Sequence, residues 1–228
     1  MAYDAARGNV VLFGGYAPIT RQTWIWNGTN WIQQHPATSP PGDVSFQMDF
    51  DPASRRIVMP DGNQTWTWDG VTWRREHPLR SPSPRQDMGV ARDAKHVVLY
   101  GGQQCPDETC NYLGGTWSWT SLTWAYKHPK TKPPPIFGMG MAYDGFSRQI
   151  VMFGGGTYGQ WLDTTWTWDG RNWTLEDPAT QPDAREGVRL AYDSSRRQVV
   201  LFGGYQGGIP GQFWGDTWTW DGSTWTEH

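Results

Sequence analysis

The pattern Trp-x-Trp-x-x-x-x-Trp occurs five times in this chain, as Trp24/Trp26/Trp31, Trp66/Trp68/Trp73, Trp117/Trp119/Trp124, Trp166/Trp168/Trp173 and Trp218/Trp220/Trp225. Successive copies start 42, 51, 49 and 52 residues apart, and together they take up fifteen of the seventeen tryptophans. A self-similar period of this size means that the fold is an array of one supersecondary unit. Such a unit is too small to bury its own apolar face, so its neighbours have to supply the core.

Other residues travel with the tryptophans. Four copies carry an apolar run ending in a glycine pair: Val-Val-Leu-Phe-Gly14-Gly15, Val-Val-Leu-Tyr-Gly101-Gly102, Ile-Val-Met-Phe-Gly154-Gly155 and Val-Val-Leu-Phe-Gly203-Gly204. The second copy reads Ile-Val-Met-Pro60-Asp61-Gly62 instead. Upstream of the run stands Tyr3-Asp4, Phe50-Asp51, Arg92-Asp93, Tyr143-Asp144 or Tyr192-Asp193. Each unit therefore reads as four strands. Strand a ends at the Tyr-Asp position. Strand b is the continuous apolar run, and its lack of alternation predicts burial on both faces. Strand c is Thr-Trp-Thr-Trp or a variant, and a period of two puts both tryptophans on one face. Strand d begins at the third tryptophan, after an Asp-Gly type hairpin in which Gly accepts positive φ. Four-stranded units repeating every 40–50 residues or so predict the blades of an all-β propeller. We expect one domain, 1–228, with five blades at about 1–36, 37–78, 79–129, 130–178 and 179–228 and no strand exchanged at the closure.

The glycine pair after strand b and the tryptophans on strands c and d resemble the kelch repeat. The units are similar to bacterial kelch-type proteins with Ala-Tyr-Asp, Val-Leu-Phe-Gly-Gly and Trp-x-Trp-Asp-Gly motifs, and to galactose-oxidase-like blades. The resemblance covers essentially the whole chain and implies a kelch-type propeller. It implies little about function, because propellers host lectins, enzymes and scaffolds alike. Asp221-Gly-Ser-Thr-Trp225 is close to the Asp-box turn of sialidase propellers, but its Asp and aromatic stand one residue too near each other. It reads as a blade hairpin.

Composition narrows the function classes. The formal charge of -3 is of the wrong sign for a protein held to nucleic acid by phosphate neutralisation. No run of about 18 apolar residues offers a membrane span. Met-Ala-Tyr-Asp-Ala-Ala-Arg lacks the basic and apolar regions of a signal peptide, so an export signal would have to lie outside these residues. Cys105 and Cys110, in Cys-Pro-Asp-Glu-Thr-Cys, are too few for a structural zinc site. A local disulfide is the favoured reading, with free thiols as the alternative, and it points to an extracellular or cell-surface setting. A cytoplasmic location stays open.

The frame of the repeat bears on closure. Met1 aligns with Met141, so most of the first strand a is missing from copy one, and His228 falls where three earlier copies read His-Pro. The expectation is a ring cut between blades and closed by blade-to-blade contact alone. The alternative is a section of a longer array, with further blades or domains in a parent protein.

Up-and-down strand order puts the a–b and c–d connections on one face and the b–c and d–a connections on the other. Loops on the first face are short and alike, which marks them as structural. The b–c loops are unlike each other: 16–22, almost nothing in copy two, 103–115, 156–163 and 205–216. Insertions confined to one face mark the binding face of a repeat protein. The candidates there are Tyr16, Arg21, Tyr112, Tyr158, Trp161, Tyr205 and Trp214, with Asp43, Arg85, Arg185 and Glu186 at the approach to strand a, near the axis. Aromatics on such loops either pack the loop itself or form a platform for a sugar ring or a partner protein.

Catalytic chemistry finds less support. The resemblance brings to mind the copper oxidase with kelch-type blades, but His35, His77, His128 and His228 occupy one equivalent position in four blades and are spread around the rim. His96 opens a strand b alone, so no metal site and no cofactor is expected. No Ser stands in a Gly-x-Ser-x-Gly elbow. The expected function is a non-catalytic recognition module, secreted or surface-displayed, binding a glycan or protein partner through the b–c/d–a face. One alternative is a hydrolase, lyase or epimerase using carboxylates and Arg at the channel mouth. The other is a structural or self-assembling scaffold.

Overall fold

The computed structural model describes residues 1–15, 20–41, 47–107, 109–207 and 210–228. Among them the chain forms five four-stranded antiparallel sheets, each from four strands in chain order. Blade one is β1 (Ala2–Asp4), β2 (Asn9–Phe13), β3 (Thr23–Trp26) and β4 (Trp31–Gln34). Blade two is β5 (Asp49–Asp51), β6 (Arg56–Asp61), β7 (Gln64–Trp68) and β8 (Trp73–Glu76). Blade three holds β9 (Gly89–Arg92) and β10 (Val97–Tyr100), then a small hairpin of β11 (Gln103–Gln104) and β12 (Asn111–Tyr112), then β13 (Thr116–Trp119) and β14 (Trp124–Lys127). Blade four repeats that plan with β15 (Gly140–Asp144), β16 (Gln149–Phe153), the hairpin β17 (Gly156–Thr157) and β18 (Gln160–Trp161), β19 (Thr165–Trp168) and β20 (Trp173–Leu175). Blade five is β21 (Arg189–Asp193), β22 (Gln198–Gln206), β23 (Gln212–Trp220) and β24 (Trp225–Glu227). The result is a five-bladed β-propeller. No helix among the described residues is long and apolar enough to cross a membrane.

The core lies between the blades, and one device makes it four times. The strand-d tryptophan of each later blade donates its indole N–H to the first threonine of strand c in the blade before. Trp73 bonds Thr23, Trp124 bonds Thr65, Trp173 bonds Thr116 and Trp225 bonds Thr165, each at 2.9 Å and each buried. Beside three of these bonds the strand-b aromatic of the earlier blade meets the same indole edge-on: Phe13 on Trp73, Tyr100 on Trp173 and Phe153 on Trp225, at 5.2–5.5 Å. Pro60 stands at that position in blade two, where β6 runs on through Asp61 to a two-residue turn. The second and third tryptophans of every triplet pair directly across strands c and d. Four apolar clusters follow, one per junction, each joining a blade's Val/aromatic face to the next blade's Trp face.

The turns are built by side chains. The Asp after strand a accepts backbone N–H groups within its own a–b turn, as Asp4 does from Ala6 and Asp93 does from Lys95 and His96. In the c–d hairpins Asn27, Asp69, Asp169 and Asp221 each accept two backbone N–H groups. The residue after each is a glycine at φ +95 to +103. Blade three has Ser121 there, at φ +67, and its hydroxyl donates to the buried Asp51.

The expected closure is not made in the way of the other four junctions. Trp73, Trp124, Trp173 and Trp225 are at most 1% exposed, whereas Trp31 is 42% exposed. Phe153 and Tyr100 are fully buried, and their equivalent Phe202 is 58% exposed. Repeat counting finds the number of blades, but it does not give the rotation between them.

The Trp–Thr bond makes a specific forecast. Thr116→Val keeps the shape but leaves the buried Trp173 N–H without its acceptor, which should lower unfolding stability by about 1–3 kcal/mol in a urea titration. Thr217→Val, at the same position in blade five but with no indole on it, should cost less than about 0.5 kcal/mol.

Candidate binding site at the channel mouth

In blades three to five the chain approaching strand a runs beside that blade's b–c hairpin. Gln86 exchanges backbone hydrogen bonds with Gln103, Phe137 with Gly156 and Glu186 with Tyr205, all at 2.8–3.0 Å. The next residue bonds between blades: Gly138 N–H donates to Asp87 C=O at 2.8 Å, and Gly187 N–H donates to Gly138 C=O at 2.7 Å. Asp87, Gly138 and Gly187 all have φ between +53 and +69, a region that a residue with a Cβ rarely adopts. Asp87 is thus held in a disfavoured backbone conformation at the mouth, where its carboxylate accepts Gln103 Nε2 at 2.8 Å.

The hairpins follow a rule that their lengths hide. Tyr112, Trp161 and Phe213 are equivalent, because they pair with Gln103, Gly156 and Tyr205 respectively. Each stands five residues before its blade's first signature tryptophan, at 112/117, 161/166 and 213/218. Each of the first two leans onto the next blade. Tyr112 stacks on Phe137 with ring centroids 4.9 Å apart and also meets Tyr158 at 4.4 Å. Trp161 faces the Glu186 carboxylate and lies so close over Gly207 that a Cβ there would meet its ring at 2.5 Å. Phe213 rests on Tyr205 of its own hairpin and is 77% exposed.

Two carboxylates therefore share the mouth with an aromatic surface. Burial pushes Glu186 above the ordinary carboxylate range; the nearby Trp161 indole N–H opposes the shift and the Asp87 charge adds to it. Gln86, exposed beside them, reaches Cys105 Sγ with its amide. Cys105 and Cys110 are joined in a disulfide across the tip of the blade-three hairpin.

The arginines have another role. Arg85 is buried and spends its guanidinium on Ser83 C=O, Ser83 Oγ and Gly101 C=O. Burial draws it down to about 10, so it stays cationic at neutral pH. Arg185 is fully buried, bonds Asp183 C=O, Gly203 C=O and Asp216, and lies 4.3 Å over the Trp214 ring. Both arginines tie the approach segment to the carbonyls of the glycine pair after strand b. Read as mouth charges, they are instead internal clamps, and Trp214 is the lid of one of them.

The other sequence candidates fall as follows. Tyr112, Tyr158, Trp161, Glu186 and Tyr205 come together around blades three to five; Tyr158 is the most exposed, at 66%. Arg21 is exposed on blade one, away from this cluster. Tyr16 and Asp43 lie outside the described residues. Phe137, Gln103 and Phe213 were not candidates. The five-residue offset to Trp-x-Trp would have found Phe213. Nothing local marks Gln103. Among the described residues no group of three His, Cys, Asp or Glu side chains is gathered in a metal-holding arrangement. A cavity of about 340 Å³ lies elsewhere, between blades two and three, lined by Arg56, Arg74, Glu76 and Ser121 among others. Its Arg and Glu groups lie within 3.8 Å of each other, and the one aromatic lining it, Trp119, is buried. The mouth, with exposed rings and two carboxylates that form no ion pair among the described residues, is the better candidate. No family model and no curated protein matches the chain.

Arg185 can be tested through Asp216. Burial raises the Asp216 carboxyl, but the bonds from Arg185 and Trp218 outweigh it and hold the group below its ordinary range. A carboxylate depressed in the folded state contributes stability above its unfolded value, and loses it as pH falls through the folded value. Arg185→Met should destabilise by about 1–3 kcal/mol near neutral pH, since it removes the cation from a partly buried carboxylate and leaves the Gly203 and Asp183 carbonyls without their donor. It should also flatten the acid limb of a stability-against-pH curve.

Proposed function

We propose that this protein is a non-catalytic recognition module that binds a glycan across the mouth of blades three to five. The observation behind this reading is the mixed surface of Tyr112, Phe137 and Tyr158 next to the Glu186 carboxylate and the Gln86 amide. A pyranose offers an apolar C–H face and a rim of hydroxyls. Rigid aromatic rings suit the first, and carboxylate or amide groups suit the second. The stiff backbone beneath, bonded from blade to blade through Asp87, Gly138 and Gly187, fits a preorganised site. We read the repeat as kelch-type, and the disulfide supports an extracellular or cell-surface location.

One observation favours a second reading. Glu186 is raised by burial and by the charge of Asp87, as a general acid beside a second carboxylate would be. That arrangement suits hydrolysis or elimination on a sugar.

A glycan array followed by calorimetric titration separates the two. On the binding reading, Tyr158→Ala should weaken the best ligand about tenfold, or about 1.4 kcal/mol, with the thermal midpoint unchanged. An array without hits, or full affinity in the variant, would sink the glycan proposal and leave a protein ligand. Release of reducing sugar by the wild type, lost in Glu186→Gln while binding persists, would establish the enzyme.

A further inference from the structure

Residues that break the repeat are not confined to the mouth. Thr67 pairs with Arg74 and Thr65 with Glu76, and Arg56 stands two residues before Val58, the partner of Thr67. The period of two therefore puts Arg56, Thr67, Arg74 and Glu76 on one side of blade two, the side that turns to blade three. At the two arginine positions blade one carries Asn9 and Ile32, and blade three carries His96 and Ala125. Blades four and five carry Gln149 with Thr174 and Gln198 with Thr226. Blade two alone sets two arginines there.

Both arginines line the cavity of about 340 Å³ between blades two and three. Its remaining walls include the a–b turn at Ser54 and the c–d turn at Ser121 and Leu122, so it lies toward the face of those turns, away from the mouth. The recess has a local origin. Three residues after its strand-a Asp, blade one carries Arg7, which packs against Gly70 in the next blade's c–d turn; a Cβ on Gly70 would lie 2.0 Å from Arg7 Nε. Blade two carries Ser54 at that position, and blade three sets Ser121 opposite it. Both hydroxyls donate to the buried Asp51. The space that Arg7 takes at the first junction is left open at the second.

Charge in this recess does not cancel. Glu76 Oε1 accepts the Thr67 hydroxyl at 2.8 Å. Arg56 Nη1 and Arg74 Nε each stand 3.8 Å from that same oxygen, too far for a hydrogen bond. Among the described residues neither guanidinium donates a hydrogen bond. A glutamate at this place does not call for cations. Glu176 in blade four accepts the Thr167 hydroxyl in the same way, at 2.6 Å, beside neutral Gln149 and Thr174. Two guanidiniums converging on one carboxylate oxygen leave a net positive charge and uncommitted donors. A guanidinium fork matches the paired oxygens of a carboxylate or sulfate group. Leu122, 81% exposed, adds an apolar wall beside them.

We propose that this recess is a second binding site, for an oxyanion: a carboxylate or sulfate group held between Arg56 and Arg74. The group is either a free anion or carried on a small organic body that rests against Leu122. Glu76 competes with it for both arginines. Nothing in this depends on what the mouth binds.

The test follows the backbone amide NMR shifts of Ser54, Ser121 and Leu122 while sodium sulfate or sodium glucuronate replaces chloride at constant ionic strength. Saturable shifts centred on these residues are expected. Arg56→Gln and Arg74→Gln should each raise the Kd about tenfold, whereas Arg171→Gln, on the c–d turn of blade four, should leave it unchanged. Glu76→Gln keeps an acceptor for Thr67 and removes the competing charge, so it should tighten binding several-fold. The two salts separate the sources. Equal constants assign a free anion; tighter glucuronate, with the advantage lost in Leu122→Ser, assigns an anion on an organic body. Shifts that do not saturate overturn the proposal. So does binding that survives Arg56→Gln combined with Arg74→Gln in a protein of unchanged thermal midpoint. Should the arginine variants fail to fold, Glu76→Gln still decides, because unchanged or weakened binding there overturns the site.

Discussion

Everything in this fold hangs on an indole N–H reaching back to a threonine hydroxyl one blade earlier. A tryptophan brought to the interior carries a donor that has to be satisfied, and no water is at hand between two sheets. The threonine that opens strand c supplies the acceptor from the neighbouring sheet, so each blade is complete only in the company of the one before it. The apolar clusters are distributed in the same way, at the junctions and not within single sheets. Stability in such an array is a sum over interfaces, with the terminal units the poorest in contacts.

The mouth inherits its rigidity from those junctions. The inner strands are short, and in blades three to five the segments leading to them are bonded both to their own hairpin and to an adjacent blade. Arg85 and Arg185 fasten these segments from below, with donors aimed at carbonyls of the glycine pairs. Side chains at the mouth therefore stand on a backbone with little freedom of its own. That arrangement suits recognition and acid–base chemistry equally, and only the groups at the surface distinguish the two.

Much of the fold was legible because its determinants are local. Asp-Gly turns, an apolar strand and alternating tryptophans are read within a few residues of one another. Blade number followed from counting Trp-x-Trp. The turn of Ser121 shows how tolerant the plan is, since a non-glycine occupies the left-handed position and is repaid by a bond to Asp51. What was not legible depends on three-dimensional sums. How blades five and one face each other depends on side chains far apart in the chain, and Phe202 and Trp31 are left exposed there. Arg185 looked like a mouth charge because its sequence neighbours are polar; its burial depends on Trp214 and on Asp216, the latter 31 residues away in the chain. The b–c hairpins looked unrelated because their lengths differ. Their shared aromatic appears only when they are aligned from the following strand.

That shared aromatic alters what counts as a module. Tyr112 belongs by sequence to the third blade and by contact to the fourth, and Trp161 is divided in the same way between the fourth and the fifth. The unit that can change independently is therefore diagonal: one hairpin together with the inner approach of the blade that follows. Recombination at blade boundaries would separate each reading surface from its own floor. Exchange along the diagonal would carry a ligand preference intact from one propeller to another.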